Sequence, residues 1–390
     1  MFAKKAKKQD LQPPKLPHSL TDMPSRKVGK IDTTFLLIIL ILLTFGLIMV
    51  FSASYASALF YKDNSLHYVI RQAIFIGAGL VLMIIASFVD YRLYRKLVMP
   101  LFIFGVLLLL VVLFIPSNGA RRWIYIGGTQ FQPSEIMKFA LIVMFAHLVS
   151  HNYKRMGTFV YGVFPFAMCL IPVVILMMLE PHLSGTILMV LIAFVMMFIG
   201  GTKVRYFLGL GVLGIGGVVG LIAIKGVTYM SERIAGWIDP FSDISDKTWQ
   251  TVQSLVAIGS GGVMGRGLGQ SHQKYMYLPE AQNDFIFAIV CEELGFIGAI
   301  LVIILFLLFA LRGFSIASKS PDKFGYMLGV GLTAQIILQA ILNIAVVTNT
   351  IPNTGISLPF FSYGGTAIMM QLAQMGILLN ISRHAAIEKA

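Results

Sequence analysis

Uncharged stretches dominate the chain. Between successive Asp, Glu, Lys or Arg residues lie runs at 33–61 (29 residues), 72–89 (18), 97–120 (24), 156–179 (24), 206–224 (19), 294–311 (18) and 324–382 (59). A helix needs about 20 mostly apolar residues to cross the hydrocarbon core of a bilayer. The last run is too long for one crossing and contains Pro352, Asn353, Gly355 and Pro359, so it divides into two helices and a loop. With 134–151 and 183–202 added, the pattern predicts ten spans, with approximate cores at 33–54, 68–89, 96–116, 134–151, 158–179, 183–201, 204–225, 284–311, 324–348 and 363–382. The runs lack period-two alternation. Since only helices and closed barrels satisfy the backbone in lipid, the expected fold is an all-α polytopic membrane protein.

Composition agrees and removes alternatives. Charged residues make up 12% of the 390, against the ~25% of a soluble domain, and mean hydropathy is +0.83. A water-soluble enzyme, a disordered chain and an ordinary nucleic-acid binder are excluded. Cys169 and Cys291 both sit in apolar runs, which argues against a disulfide framework or a cysteine-rich metal site. The net charge of +13 is unevenly placed: on the ten-span reading, 20 Lys and Arg fall on the side of the two termini and eight on the other. The positive-inside rule then puts both termini in the cytoplasm, and the basic excess answers to membrane topology and anionic lipid, with no nucleic acid implied. No cleavable signal peptide is expected. The predicted organisation is a basic cytoplasmic tail at 1–31, a membrane domain at 32–385 and a short cytoplasmic end at 386–390. A long extracytoplasmic loop, 226–283, separates the seventh and eighth predicted spans. Trp237, Trp249, the apolar stretch 251–258 and the glycine-rich stretch 259–269 predict an ordered loop with interfacial helices. The sequence shows no internal repeat of the kind common in transporters.

Charges near a membrane are costly, so their positions carry the most information about chemistry. Four polar clusters face the predicted outer side. The first is Asn118-Gly119-Ala120-Arg121-Arg122-Trp123, followed by Gln132-Pro133-Ser134-Glu135-Ile136-Met137-Lys138. Pro133 and Ser134 read as a helix start, and Glu135 can pair with Lys138 at i,i+3. Arg121 and Arg122 oppose the positive-inside trend. An anion such as a diphosphate would reward them, as would lipid-headgroup anchoring together with Trp123. The second cluster is Glu180-Pro181-His182-Leu183-Ser184, with Glu180 either a functional acid or a polar cap. The third runs from Tyr277 through Glu280 to Asp284 and Phe287. Asp284 suits a helix N-cap or, at the edge of the hydrocarbon near cations, a general base. Glu292 and Glu293 lie deeper and are expected to be paired inside the bundle. The fourth, 352–366, is rich in Pro and Gly and reads as a re-entrant turn lining a cavity, with Ser362 and Tyr363 as donors. Asn343 is expected to form an interhelical hydrogen bond. No histidine spacing suits a metal, and 259–269 lacks the ending of a nucleotide loop.

The blocks 118–124, 132–138, 253–270, 277–287, 292–298 and 352–366, in order and at regular spacing, resemble the signature blocks of the SEDS family (shape, elongation, division and sporulation). The likeness spans about 32–385, and the run from Gly267 through Lys274 to Glu280 is closest to its FtsW and SpoVE branch. The resemblance implies a peptidoglycan glycosyltransferase that polymerises lipid II, the undecaprenyl-diphosphate-linked disaccharide peptide, at the outer face of the bacterial cytoplasmic membrane. It also implies a class B penicillin-binding protein as partner, with other divisome or sporulation proteins. On this likeness Asp284 maps to the essential aspartate and Lys138 to the lysine that pairs with it and keeps it ionised. Arg121, Arg122 and Lys274 are the expected diphosphate ligands, compatible with Mg²⁺ or Mn²⁺. Trp123, Ser134, Glu135, Glu280, Ser362 and Tyr363 complete the candidate substrate site. Two positions depart from the family pattern: Gln282-Asn283 replaces His-Thr, and Pro181-His182-Leu183-Ser184 replaces Pro-Asp-Leu-Gly. The alternative reading is a lipid II flippase. A scaffold that only recruits a division partner would leave the outer clusters unexplained.

Overall fold

In the computed structural model the described residues are 29–115, 122–126, 129–209, 236–241 and 248–385. Helix α1 (Thr33–Lys62) opens on Asp32, whose carboxylate accepts from the Phe35 amide and ion-pairs with Arg312 at 2.7 Å. Then follow α2 (His67–Phe88), the short α3 (Arg92–Lys96), α4 (Val98–Phe114), a two-stranded antiparallel hairpin of β1 (Ile124–Ile126) and β2 (Thr129–Phe131), and α5 (Pro133–Asn152). Proline at the first helical position suits α5, because the missing N–H would have no helical partner there. Beyond α5 come α6 (Phe159–Gly162), α7 (Phe164–Leu179) and α8 (Leu183–Ile199), then α9 (Trp249–Gly261), α10 (Ile286–Ser318), α11 (Lys323–Val347) and α12 (Gly365–Ala385).

Among the described residues six helices are long and apolar enough to cross a membrane: Thr33–Lys62, His67–Phe88, Pro133–Arg155, Phe159–Leu179, Ile286–Ser318 and Lys323–Val347. Helices α4 and α8 are apolar but shorter. The fold is thus mostly helical and polytopic in character. Burial separates the centre from the perimeter. The apolar windows of α5 and α11 are 78% and 67% buried, against 22% for α2, whose outward Ile70, Ile74, Ile84 and Phe88 would face lipid. Helices α5 and α11 pack on each other and carry the site between them.

Several predicted bounds shift. The span expected at 158–179 breaks between α6 and α7, and that at 96–116 is preceded by α3. Of the span predicted at 204–225, residues 204–209 are helical and the remainder lies outside the described residues, as do the greater part of the basic tail, 226–235, 242–247 and 386–390. The long connection contains the expected helix, α9. Ser254 Oγ donates to the Val347 carbonyl (2.8 Å), and Trp249 Nε1 donates to the Tyr277 carbonyl (2.7 Å). Trp237 and Asn349 exchange two further bonds.

The least expected feature is a break inside α10. Gly295 has φ +67, ψ −163, which removes the helical bonds from the 296 and 297 amides to the 292 and 293 carbonyls. The glycine-rich loop supplies both halves of what is lost. Arg266 and Gly267 amides donate to the Glu292 and Glu293 carbonyls (3.0 and 2.9 Å), while Phe296 and Ile297 amides donate to the Gly262 and Val263 carbonyls (2.9 and 3.3 Å). Side chains complete the joint. Glu293 accepts from Ser52 Oγ (2.6 Å) and Lys274 Nζ (3.1 Å); Glu292 accepts from Ser271 Oγ (2.5 Å) and the His272 amide (2.9 Å). The two carboxylates and Lys274 are buried, so removing one partner would leave an uncompensated charge at a cost of about 3–5 kcal/mol.

The joint depends on Gly265, whose φ is +80 and where a Cβ would lie 2.2 Å from the Glu293 carbonyl oxygen. Gly265→Ala is expected to lower the unfolding midpoint of the detergent-solubilised protein by the equivalent of about 1–3 kcal/mol or more. Gly259→Ala, in α9 with nothing near its Cβ position, should leave the midpoint unchanged or raise it by up to about 1 kcal/mol. Equal melting of the two variants would remove the loop's role in closing α10.

Candidate active site

A cavity of about 550 Å³ opens at the end of the bundle opposite the Asp32–Arg312 pair. One wall comes from the end of α1 and the first turns of α2, with Lys62, His67, Tyr68, Arg71 and Phe75. Another comes from the hairpin and α5, with Arg122, Trp123, Gln132, Glu135 and Lys138. His182, Asp284, Gln339, Gly355 and Tyr363 are among the residues that close it.

Asp284 sits just before α10, on a backbone fixed from outside its own segment. Asn343 Nδ2 donates to the Asp284 carbonyl and to the Ile356 carbonyl, both at 2.7 Å. Ser362 Oγ donates to the Asn283 carbonyl (2.7 Å), and the Tyr363 amide donates to the Gln282 carbonyl (2.9 Å). Three consecutive carbonyls are therefore pinned by α11 and by the turn before α12. The Asp284 carboxylate caps nothing, since the residue at the helix cap is Phe285 with no side-chain bond. Gly355 leaves it room: a Cβ there would be 3.2 Å from Asp284 Oδ2. The carboxylate reaches the cavity, but protein surrounds it elsewhere. That burial, reinforced by Glu280, pushes its pKa up to about 6, while the Arg122 charge pulls it down.

Arg122 is held by the α7–α8 turn, its guanidinium donating to the Pro181 carbonyl and to the Glu180 carbonyl (3.4 Å). In the same turn burial pushes Glu180 up to about 8 against the pull of Arg122. Burial, then Arg122 and Lys138, pushes His182 down to about 3, so His182 is neutral at physiological pH, with Gln132 Nε2 3.3 Å from its Nε2. Lys138 Nζ binds Glu135 Oε1 at 2.7 Å, the i,i+3 pair, and both are buried.

Among the expected residues, Asp284, Lys138, Arg122, Trp123, Glu135 and Tyr363 share the cavity. Three corrections follow. Lys138 pairs with Glu135 and makes no ion pair with Asp284, because Glu135 lies one helical turn away and the Asp284 backbone is tied to α11 instead. Lys274 is no cavity residue; the Gly295 break draws it inward onto Glu293 and the Gly269 carbonyl (2.6 Å). Ser134 and Glu280 lie off the cavity lining, and Ser362 spends its hydroxyl on backbone groups. Arg121 lies outside the described residues. The sequence reading did not select Lys62, His67, Tyr68, Arg71 or Gln339. For Lys62 the signal was available, since it is a cation on the side predicted to be sparsely basic. Among the described residues no group of three His, Cys, Asp or Glu could hold a metal. Glu135 is committed to Lys138, so Asp284 is the remaining carboxylate in the cavity, and this donor set does not fit a protein-built Mg²⁺ or Mn²⁺ site.

The sequence model of the family described as cell cycle protein (FtsW, RodA, SpoVE) matches residues 32–387. The chain belongs to that family. Stage V sporulation protein E of Bacillus subtilis strain 168 is 41% identical, over 91% of this chain and 97% of its own length. A Geobacter sp. strain M18 protein named "Probable peptidoglycan glycosyltransferase FtsW" is 39% identical, over 92% and 98%. Among solved structures, a chain of a peptidoglycan synthase complex that coordinates polymerization and crosslinking superposes with a TM-score of 0.76 at 26% identity, covering 91% of this chain and 98% of that one. The rod shape determining protein RodA of Thermus thermophilus gives 0.65 at 27%, covering 90% and 97%. The FtsW/RodA/SpoVE fold therefore extends over nearly the whole chain, and the Asp284 cavity lies within it.

A carboxyl whose pKa is raised on folding stabilises the fold below its unfolded value, near 4, and that contribution is lost as pH rises through about 6. At pH 8 the ionised Asp284 is then a cost, on the order of 1–3 kcal/mol. Asp284→Asn should melt above the wild type at pH 8, with the gap closing toward pH 4. A gap that does not change with pH would contradict the raised value.

Proposed function

We propose that this chain is a peptidoglycan glycosyltransferase that polymerises lipid II, with Asp284 as general base. The observation that carries the reading is a half-buried aspartate, pinned at its backbone and raised to about 6, in a cavity where Lys62, Arg71, Arg122 and Lys138 outnumber Asp284 and Glu135. The names of the relatives support the reaction class. Lipid II carries its sugar through an α-linked diphosphate and the glycan is β-linked, so one inverting displacement suffices. The acceptor hydroxyl oxygen bonds to the anomeric carbon of the donor, its proton passes to Asp284, and the bond to the diphosphate breaks with the electron pair leaving on phosphate. The Arg122 charge offsets that developing charge. Lys138 holds Glu135 and shapes the wall. No step is routed through a metal held by the protein.

The membrane arrangement belongs to the same proposal. Ten spans arise if α4, α8, α12 and the segment beginning at 204–209 also cross, with both termini cytoplasmic and the cavity facing outside, where lipid II is consumed. The partner is a class B penicillin-binding protein in the cytoplasmic membrane, and the closeness to the SpoVE and FtsW relatives supports a role in sporulation or division.

Purified protein given labelled lipid II, with and without a cognate penicillin-binding protein, should make long glycan strands. Asp284→Ala should lose a factor of about 10²–10⁴ while remaining folded. The wild-type rate should rise with pH and level off above about 6, as the base ionises. Lipid II scrambling in liposomes without any polymer would favour transport, and polymer made by Asp284→Ala at the wild-type rate would remove the base.

A further inference from the structure

The cavity has more cationic groups than one departing diphosphate requires, and they lie on separate walls. Arg122 leans on the α7–α8 turn, and its charge bears on Asp284. Lys138 is neutralised by Glu135. Lys62 ends α1, and Arg71 lies in α2 on the face it shares with His67 and Phe75, spaced i, i+4 and i+8. Among the described residues neither Lys62 nor Arg71 has a carboxylate within ion-pair distance, although Arg71 is flanked by an otherwise uncharged apolar helix. Both side chains are exposed and line the same cavity, so an anion entering it meets both charges. Tyr68, in ring contact with Tyr363 at 5.1 Å, adds aromatic surface to the same cavity.

We propose that Lys62 and Arg71 form a second anion subsite, which takes the diphosphate of the acceptor lipid while Arg122 serves the diphosphate that leaves. The inference rests on the polymerase reading. Glycan growth between lipid-linked molecules brings two diphosphates into one site, and the acceptor keeps its own, one disaccharide away from the hydroxyl that reacts. A single cationic centre would hold two multiply charged groups against their mutual repulsion. Two centres on separate walls hold them apart and set the distance from Asp284 at which the acceptor hydroxyl arrives. A phospholipid headgroup shares the same phosphate chemistry, and the test below separates the two sources.

The binding arm uses the full chain carrying Asp284→Asn, in phosphatidylcholine nanodiscs, with labelled lipid II as probe. Two lipid II molecules should bind per chain. Adding Lys62→Gln with Arg71→Gln should weaken one of them by about tenfold or more, whereas Lys62→Arg with Arg71→Lys should retain both. Undiminished binding in the Gln pair, or equal loss in the charge-conserving pair, overturns the subsite. If phosphatidylglycerol displaces the second lipid II, the site is a headgroup site and the assignment to substrate fails. The kinetic arm pairs a lipid II whose acceptor hydroxyl is blocked, which can only donate, with a separate acceptor. The Gln pair should raise the KM for acceptor about tenfold and leave that for donor nearly unchanged. Equal effects on both overturn the division of labour. If the wild type makes no glycan at all, the polymerase reading fails by itself, and the binding stoichiometry still decides the subsite.

Discussion

A break in a membrane helix must be repaired by other groups, because hydrocarbon offers no water to its freed amides and carbonyls. The break at Gly295 sets much of the architecture at the site end of this protein. Its two lost helical bonds are taken over by residues 262–267, which fixes the glycine-rich loop against α10. The docked loop delivers Lys274 to Glu293 and Ser271 to Glu292, so two carboxylates that an unbroken apolar helix could not carry are paired. From Lys274 only a short segment remains before Asp284, and its far end is caught by Asn343, Ser362 and Tyr363. The aspartate is thus anchored on both sides, by the joint at Gly295 and by the bonds from Asn343, Ser362 and Tyr363.

The electrostatics of the cavity follow from the same scarcity of water. A base useful near neutrality needs a pKa close to 6 or 7. Burial supplies the upward push on Asp284, and the Arg122 charge limits it. The two act in opposite directions: a stronger cationic contact would leave the carboxylate a weaker base, and its absence would raise the pKa further. Pairing Lys138 with Glu135 removes one cation from direct contact with Asp284 and keeps the balance between these limits. The ionised state carries a cost in stability, because burial disfavours the charge.

Much of this was legible in the residues. Six of the ten predicted spans coincide with long apolar helices among the described residues, and the i,i+3 pairing of Glu135 with Lys138 followed from helix geometry. A hydrogen-bonding role for Asn343 and the cavity-lining turn at 352–366 were visible because polar, Pro and Gly residues interrupt apolar sequence, although Asn343 donates to the Asp284 and Ile356 carbonyls outside the helices and not to a second helix. The failures have a common cause. Lys274 was expected to bind diphosphate, since nothing in an apolar run announces that Gly295 leaves the helix and that a loop far from it turns Lys274 inward onto Glu293. Lys62 and Arg71 were not selected, because spacing along one helix does not reveal which neighbour it faces. Ser362 read as a donor for substrate, yet the backbone of Asn283 claims it. Periodicity reports which face is apolar; it does not report which polar group a backbone needs.

His182 shows how a local departure can be absorbed. The resemblance implies an aspartate at this position, and the structure places the imidazole in the cavity wall beside Gln132, held neutral by burial and by the charges of Arg122 and Lys138. An ionised carboxylate here would compete with Asp284 for Arg122. It would also draw that guanidinium away from any anion entering the cavity. A neutral ring avoids both effects and leaves the Arg122 charge to bear on Asp284, while the Asp284 backbone, which no part of the α7–α8 turn holds, keeps its position. The residue that differs therefore changes the charge around Asp284 and not its geometry, which explains how this chain can depart from the family pattern at 182 and still retain the constellation around Asp284.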